Sequence, residues 1–120
     1  FIVRRAALKA VPMVCEKGDE RAIIAVTSRL EDADGSVRSA ALKALPLVCE
    51  KGDERAIIAV TSRLEDADGS VRSAALKALP LVCEKGDERA IIEVTSRLEH
   101  RDSNVRSAIL KALPLVCEKG

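Results

Sequence analysis

The chain has 120 residues, which is one domain's worth of sequence, and its formal net charge is only +1. So small a net charge gives no long-range attraction to nucleic acid or to an anionic membrane, and we expect neither as a partner. Hydrophobic residues make up 48% of the chain, yet Phe1 is the only aromatic residue. The core must therefore be built from Ala, Leu, Val and Ile side chains.

The sequence repeats itself with a period of 34 residues, because residues 53–86 copy residues 19–52 without a change. Residues 87–120 differ from them at six positions, and residues 1–18 match the second half of the unit. The six differences are Glu93, His100, Arg101, Ser103, Asn104 and Ile109. A fixed period of this length predicts stacked supersecondary units, so we expect one domain over residues 1–120. Natural copies usually drift, and the near-identity favours a designed or consensus-like array over recent duplication.

The first half of the unit predicts an amphipathic helix from Glu54 to about Glu65. Gly52 supplies a left-handed position after the last turn of the preceding helix, and the Asp53 carboxylate caps the new helix. The apolar positions with helical spacing are Ile57, Val60, Leu64 and, in part, Thr61. Ile58 lies beside this stripe, and we expect it to be half exposed.

The second half predicts a longer helix, from Gly69 or Ser70 to about Cys83 or Glu84. Asp68 is the expected N-cap, with Ser70 as the alternative. The helix is apolar over most of its circumference, which is typical of a helix packed on two sides. Pro80 lies inside it, and a proline recurs at this place in every unit. We interpret this as a kinked helix, because ending the helix at Leu79 would leave large apolar side chains in a loop.

The sequence has no strand pattern, since the apolar residues follow the helical period throughout. These observations predict an all-α fold, an α-solenoid of stacked helical hairpins with seven helices. Three would be helices of the first kind and four of the second, because residues 1–18 lack the first half of the unit.

The turn and the start of the second helix carry a family pattern. The run from Leu30 to Leu45, LEDADGSVRSAALKAL, resembles the HEAT repeat pattern L-x-D-x-D-x-x-V-R-x-x-A-x-x-A-L. It recurs from Leu64 to Leu79 and, altered, from Leu98. The unit is also similar to short HEAT-like repeats of the phycobilisome-lyase type and to artificial consensus arrays. The resemblance implies a shallow superhelix in which the second helices line the concave side.

The resemblance also implies a ladder of Asp–Arg pairs along the stack, here Asp32 with Arg38 and Asp66 with Arg72. The pattern fails at His100, where the ladder aspartate is missing. Arg106 would then use Asp66 of the preceding repeat, Asp102 or water.

We find no residues that predict chemistry. The four cysteines lie 34 residues apart, and in a stack this places them about 8–10 Å apart, too far for a disulfide or a shared zinc ion. We expect buried free thiols, which weakly favour a reducing, cytoplasmic location. His100 is the only histidine, so we expect no multi-histidine metal site, no catalytic site and no cofactor.

The candidate binding surface is a row of polar residues on the concave side. They are Arg5, Lys9, Ser39, Lys43, Ser73, Lys77, Ser107 and Lys111. We predict a non-catalytic scaffold that presents this surface to a protein or peptide. The alternatives are a self-assembling structural module and a fragment of a lyase-type HEAT-like enzyme.

Neither end of the array has a polar outer face, which solenoids normally need. At the N-terminal end we expect an uncovered side with apolar residues, and at the C-terminal end we expect Leu113 and Val116 to face a missing repeat. The N-terminal residues concerned are Val3, Ala7, Ala10, Val11 and Val14. We expect either association through these ends, which would make the chain a homo-oligomer, or a longer parent chain.

Overall fold

The computed structural model describes residues 7–9 and 16–118, and within these residues all regular structure is helical. The α-helices are α1 (Glu20–Arg29), α2 (Gly35–Val48), α3 (Glu54–Ser62), α4 (Gly69–Val82), α5 (Glu88–Thr95) and α6 (Ser103–Val116). A 3-10 turn, Arg63–Glu65, extends α3. Residues 7–9 are also helical, at the place of the predicted N-terminal second helix. The predicted all-α solenoid of helical hairpins is confirmed.

An aspartate caps each helix of the first kind. The Asp53 carboxylate accepts hydrogen bonds from the backbone N–H groups of Arg55 and Ala56, at 2.9 and 3.4 Å. Asp19 and Asp87 occupy the same place in α1 and α5. The apolar stripe of α3 is fully buried, and Ile58 beside it is 43% exposed, as predicted. Helical spacing alone therefore located the buried side of these helices.

The helices of the second kind continue through their prolines. In α4 the helix passes Pro80 and ends at Val82, because Cys83 already has extended backbone angles. The side-chain carboxylate of Asp68 caps its start, accepting from the Ser70 N–H at 2.8 Å. The predicted continuation of the helix beyond Pro80 is confirmed, whereas the kink at the proline stays a prediction, and the helix ends at Val82 rather than at Cys83 or Glu84.

The glycine between repeats lies further from the end of the preceding helix than predicted. Gly52 has the positive φ of +94° that favours glycine, but it follows the last residue of α2, Val48, by four positions. The Asp53 N–H donates to the Glu50 carbonyl at 3.1 Å, so Gly52 is the third residue of a β-turn of type II geometry rather than the cap of the helix. The correction arises because α2 stops at Val48.

This turn also joins each repeat to the next. The Gly52 N–H donates to the carbonyl of Val82, the last residue of α4, at 2.7 Å. Gly18 makes the same bond to Val48, and Gly86 makes it to Val116, both also at 2.7 Å. The last carbonyls of a helix have no partner within the helix. A backbone hydrogen bond from the preceding repeat therefore caps the C-terminal end of α2, α4 and α6.

Arg38 forms a second link between repeats, and here the pairing implied by the resemblance was wrong. Its guanidinium donates to both carboxylate oxygens of Asp66 in the following repeat, at 2.9 and 3.0 Å. Its contact with Asp32 of its own repeat is to the backbone carbonyl, at 2.8 Å. The physical reason is that Nη1 of the Arg38 guanidinium donates to the carbonyls of the turn in its own repeat. The rigid guanidinium then directs Nε and Nη2 towards the next repeat.

The Arg38–Asp66 pair is largely shielded from solvent, since the two side chains are 15% and 3% exposed. Burial alone would raise the pKa of Asp66, but hydrogen bonds from Arg38 and from the Asp68 N–H outweigh it and hold that pKa below its ordinary value. The carboxylate in turn raises the pKa of Arg38. Each charge thus stabilises the other where two repeats meet.

The ladder is interrupted one repeat further on. Arg72 bonds the carbonyls of Asp66 and Ala67, at 2.8 and 3.2 Å, as Arg38 does in its own turn. The repeat places His100 where the next carboxylate would be, and Arg72 has no carboxylate partner among the described residues. The prediction that His100 deprives Arg106 of a carboxylate was wrong, because Arg38 pairs with the carboxylate of the following repeat and the arginine affected is therefore Arg72. Arg106 donates to the His100 and Arg101 carbonyls of its own turn, at 2.8 and 2.9 Å.

His100 keeps one function of the aspartate that it replaces. Its Nδ1 accepts the Asp102 N–H at 3.1 Å, as the Asp66 carboxylate accepts the Asp68 N–H at 2.9 Å. The turn before α6 therefore has the same local bond as the turn before α4, and only the bond between repeats is lost.

The described cysteines are free, and Cys49 and Cys83 are buried. Burial raises the pKa of both thiols to about 11, so they stay protonated and pack as small apolar groups. Cys15 lies outside the described residues. None of the helices in the described part of the chain has the length and apolar character needed to cross a membrane.

The C-terminal end is open, but at residues other than those predicted. Val116 is buried as part of the hydrophobic core, and Leu113 is half-buried against that core. The exposed residues are Leu98 and Leu110, at 36% and 61%. At the N-terminal end Ala7 is exposed. The other four apolar residues singled out there, Val3, Ala10, Val11 and Val14, lie outside the described residues.

Replacing Asp66 by Asn tests the ladder. The Arg38 guanidinium would lose its counter-charge, and we expect the free energy of unfolding near pH 7 to fall by about 2 kcal/mol. A carboxyl whose pKa is lowered by folding stabilises above its ordinary pKa near 4, and this contribution is lost as the pH falls through its lowered value. The variant and the parent should therefore converge towards about pH 2 in urea unfolding.

Glu31→Gln is the matched control, since Glu31 is 79% exposed and 3.6 Å from Arg63. It should change the free energy of unfolding by less than about 0.5 kcal/mol. An equal loss in both variants, or a loss at Asp66→Asn that does not depend on pH, would contradict the role given to the ladder.

Restoring the missing carboxylate should strengthen the contact between the last two repeats, residues 53–86 and 87–120. We expect His100→Asp to raise the free energy of unfolding by about 1 kcal/mol, because Arg72 gains the partner that Arg38 has. Urea unfolding of the parent, His100→Asp, Arg72→Ala and the double variant gives a double-mutant cycle that measures the coupling between the two positions. A gain that persists in the Arg72→Ala background would show that the new carboxylate acts elsewhere.

Candidate binding face

The second helices expose one side to solvent, and we call it the Ser–Lys face. It consists of Lys9, Ser39, Lys43, Ser73, Lys77, Ser107 and Lys111. Within each repeat the serine and lysine lie four positions apart, about one helical turn, so they share one side of the helix. All of them are exposed except Ser39, which is partly covered. Arg5, predicted as part of this surface, lies outside the described residues.

A groove between α2 and α4 brings these residues together. It has a volume of about 460 Å³. Its lining comprises Lys9, Ser36, Ser39, Ala40, Lys43, Ser70, Ser73, Ala74 and Lys77. Two adjacent repeats and the N-terminal helix thus contribute to a single depression.

A smaller groove of about 220 Å³ follows between α4 and α6. Its lining is Gly69, Arg72, Ser73, Leu76, Asn104, Ser107, Ala108 and Lys111. Ser73 lines both grooves, so the face continues from one junction to the next. One of the six substitutions in residues 87–120 places Asn104 in the lining of this groove, where the other repeats have a serine.

The serines along the first groove have different hydrogen-bonding states. Ser36 and Ser70 donate their hydroxyls to the capping carboxylates of Asp34 and Asp68, at 2.6 and 2.7 Å. The Ser39 hydroxyl is buried and has no hydrogen-bond partner among the described residues. An unpaired buried hydroxyl is costly, and this one lies in the groove wall.

Among the residues that the structure describes, the lining of this groove contains three lysines and no carboxylate. The nearest acidic groups in sequence are the capping residues Asp34 and Asp68 at the serine end, and these hold serine hydroxyls and backbone N–H groups. The lysine end therefore has a positive local potential, although the chain as a whole is almost neutral.

The sequence analysis missed a second, apolar groove on the opposite side, between α1 and α3. It has a volume of about 440 Å³ and is lined chiefly by Ile23, Ile24, Thr27, Leu30, Ile58 and Ala59. The corresponding side of the next junction is closed, since α3 and α5 pack together and Thr61 is fully buried. Ile24 and Ile58, both exposed, were the only signal of this groove in the sequence.

The first helices are linked by surface ion pairs. Arg55 contacts Glu20 at 2.6 Å, Arg89 contacts Glu54 at 2.9 Å, and Arg97 contacts Glu65 at 2.8 Å. The first two of these pairs are exposed, and such pairs contribute little to stability. No group of three or more potential metal ligands is present among residues 7–9 and 16–118.

The comparisons with known proteins agree with this geometry. A family model described as HEAT repeats matches residues 1–80 and again residues 59–118, so that together the two matches cover almost the whole chain. No curated protein matches the chain. The repeated hairpins, their recurrent caps and the two matches lead to one conclusion: the chain belongs to the HEAT repeat family.

Proposed function

We propose that this chain is a non-catalytic scaffold that binds a protein or peptide on the Ser–Lys face. HEAT repeats generally serve as scaffolds for protein–protein interaction. The observation that carries the proposal is the groove between α2 and α4, which gathers exposed lysines and serines from adjacent repeats in one depression.

The helices that form the face are well suited to binding because their opposite sides are packed in the core. Val37, Leu45 and Val48 of α2 are fully buried, and α2 packs against α4. A face fixed in this way loses little conformational freedom when a partner binds, and this favours affinity. The same polar pattern recurs in each repeat, which suits an elongated partner.

Two features favour a scaffold over an enzyme. The HEAT repeat family is generally non-enzymatic. The polar groups of the face also recur from repeat to repeat, whereas a lyase-type site would need non-repeated groups that converge. The consensus-like copies fit a general binding array, and the protonated free thiols suit a reducing, cytoplasmic setting.

Bulky side chains placed on the face test the proposal. We expect Ser73→Trp combined with Ser107→Trp to obstruct both grooves and to weaken binding at least about tenfold, a loss of ~1.4 kcal/mol. The immobilised chain would be used to recover partner proteins from cell extract. The dissociation constants of purified partners would then be measured by calorimetry.

Ser28→Trp combined with Ser96→Trp is the matched control, because both serines are exposed on the helices of the first kind. Partners lost by the face variant and kept by this control support the proposal. Equal affinity for the parent and the face variant would refute it.

Self-association is a second candidate function, favoured by two exposed leucines in residues 87–118. Leu42 is fully buried by the following repeat, whereas its equivalent Leu110 is 61% exposed. Leu30 and Leu98 show the same contrast, at 3% and 36%. A second copy that covers this end would bury the surface that a following repeat covers elsewhere in the array.

Sedimentation velocity over a range of concentrations tests this candidate. We expect the average mass of the parent to rise with concentration, and Leu110→Glu to abolish the rise because a charge cannot be buried there without a partner. Leu81→Glu is the control, since Leu81 is equally exposed, at 59%, but lies away from the end. A parent that remains monomeric throughout would rule out this candidate.

A further inference from the structure

We propose that the Ser–Lys face selects an extended peptide segment with an acidic side chain at about every third residue. This inference rests on the proposed function and specifies the chemistry of the partner.

The first argument is charge. Lys9, Lys43 and Lys77 line the groove between α2 and α4, and no carboxylate is among its described lining residues. Lys43 and Lys77 are exposed and appear in no ion pair among the described residues, so their charges are available to a ligand. Carboxylate side chains would complement this row, whereas a basic peptide would be repelled.

The second argument is spacing. The face presents one lysine per repeat, and neighbouring helices pack about 8–10 Å apart. A peptide in the polyproline II conformation rises about 3.1 Å per residue with three residues per turn, so every third side chain returns to the same side after ~9 Å. The period of such a peptide therefore matches the period of the lysines.

The third argument is hydrogen bonding, and it favours an extended peptide over a helix. The groove presents exposed donors, namely the Ser73 hydroxyl and the ammonium groups of Lys43 and Lys77. A polyproline II backbone has no internal hydrogen bonds, so its carbonyl groups can accept from these donors. An α-helix uses its carbonyls within the helix and would offer the face its side chains alone.

These contacts are individually weak, because an exposed ion pair contributes little to affinity. Affinity would arise from several lysines that engage one peptide at the same time. Binding would also weaken as salt is added, since exposed charges are screened beyond ~10 Å at about 0.1 M ionic strength.

Fluorescence anisotropy with labelled synthetic peptides tests the proposal on the full chain. The probe is five repeats of Glu-Pro-Ala, and the comparison peptides are five repeats of Gln-Pro-Ala and a peptide of the same composition with its glutamates adjacent. We expect the Glu-Pro-Ala probe to bind about tenfold more tightly than either comparison peptide, as two or three aligned ion pairs would give.

Lys43→Glu combined with Lys77→Glu should weaken the probe at least about tenfold, because two attractive pairs become repulsive. The control, Lys17→Glu combined with Lys85→Glu, makes the same change of net charge at exposed turn lysines outside the groove. It should leave affinity within about twofold. Lys43→Gln with Lys77→Gln should give an intermediate loss, and circular dichroism would show that all variants remain helical.

Equal binding of the glutamate and glutamine peptides would overturn the proposal. So would equal losses in the two charge-reversed variants, which would indicate general electrostatic attraction, or equal binding of the peptide with adjacent glutamates, which would remove the match of spacing. If the probe fails while Ser73→Trp with Ser107→Trp still abolishes partner binding, the acidic specificity is wrong and the scaffold function stands.

Discussion

A two-helix hairpin of this sequence cannot bury all of its apolar side chains, and the rest of the structure depends on this constraint. Leucines at one repeat position show it directly: Leu42 is fully buried, Leu76 is partly buried and Leu110 is mostly exposed, in the order in which following repeats cover them. Stability must therefore come from the contact between neighbouring repeats as well as from each hairpin. The exposed Ser–Lys face follows, because stacking consumes the other sides of the second helices.

Apolar contact drives the stacking, and two directional links determine how the repeats are oriented. The Gly52 N–H meets the Val82 carbonyl at one end of the second helices, and the Arg38 guanidinium meets the Asp66 carboxylate at the other. Hydrogen bonds have narrow geometry, whereas apolar contact does not. Two such links, one near each end of a helix, limit rotation of one repeat on the next and keep the lysines in a row.

The fold was largely predictable because helical periodicity and capping residues are local signals. Asp53, Pro80 and Ile58 occupy the environments that their sequence positions indicated. Relations between repeats were harder to predict, since an exact repeat does not show whether Arg38 reaches Asp32 or Asp66. The apolar groove beside α1 was harder to predict, because Ile24 and Ile58 were its only signal and Thr27 and Thr61, which have identical local sequences, are buried to different extents. The Ser–Lys face was predicted from the polar side of the second helices. The burial of the Ser39 hydroxyl depends on tertiary packing, which the repeat pattern does not show.

The forward reach of Arg38 gives the array polarity. A repeat with the sequence of residues 53–86 offers an arginine to its successor and a carboxylate to its predecessor, so the two ends of an array of such repeats are chemically different. A unit inserted by duplication inherits both halves of the linkage and needs no compensating substitution. The array can therefore change length by whole units, whereas an inverted unit would bring like charges together at both of its boundaries.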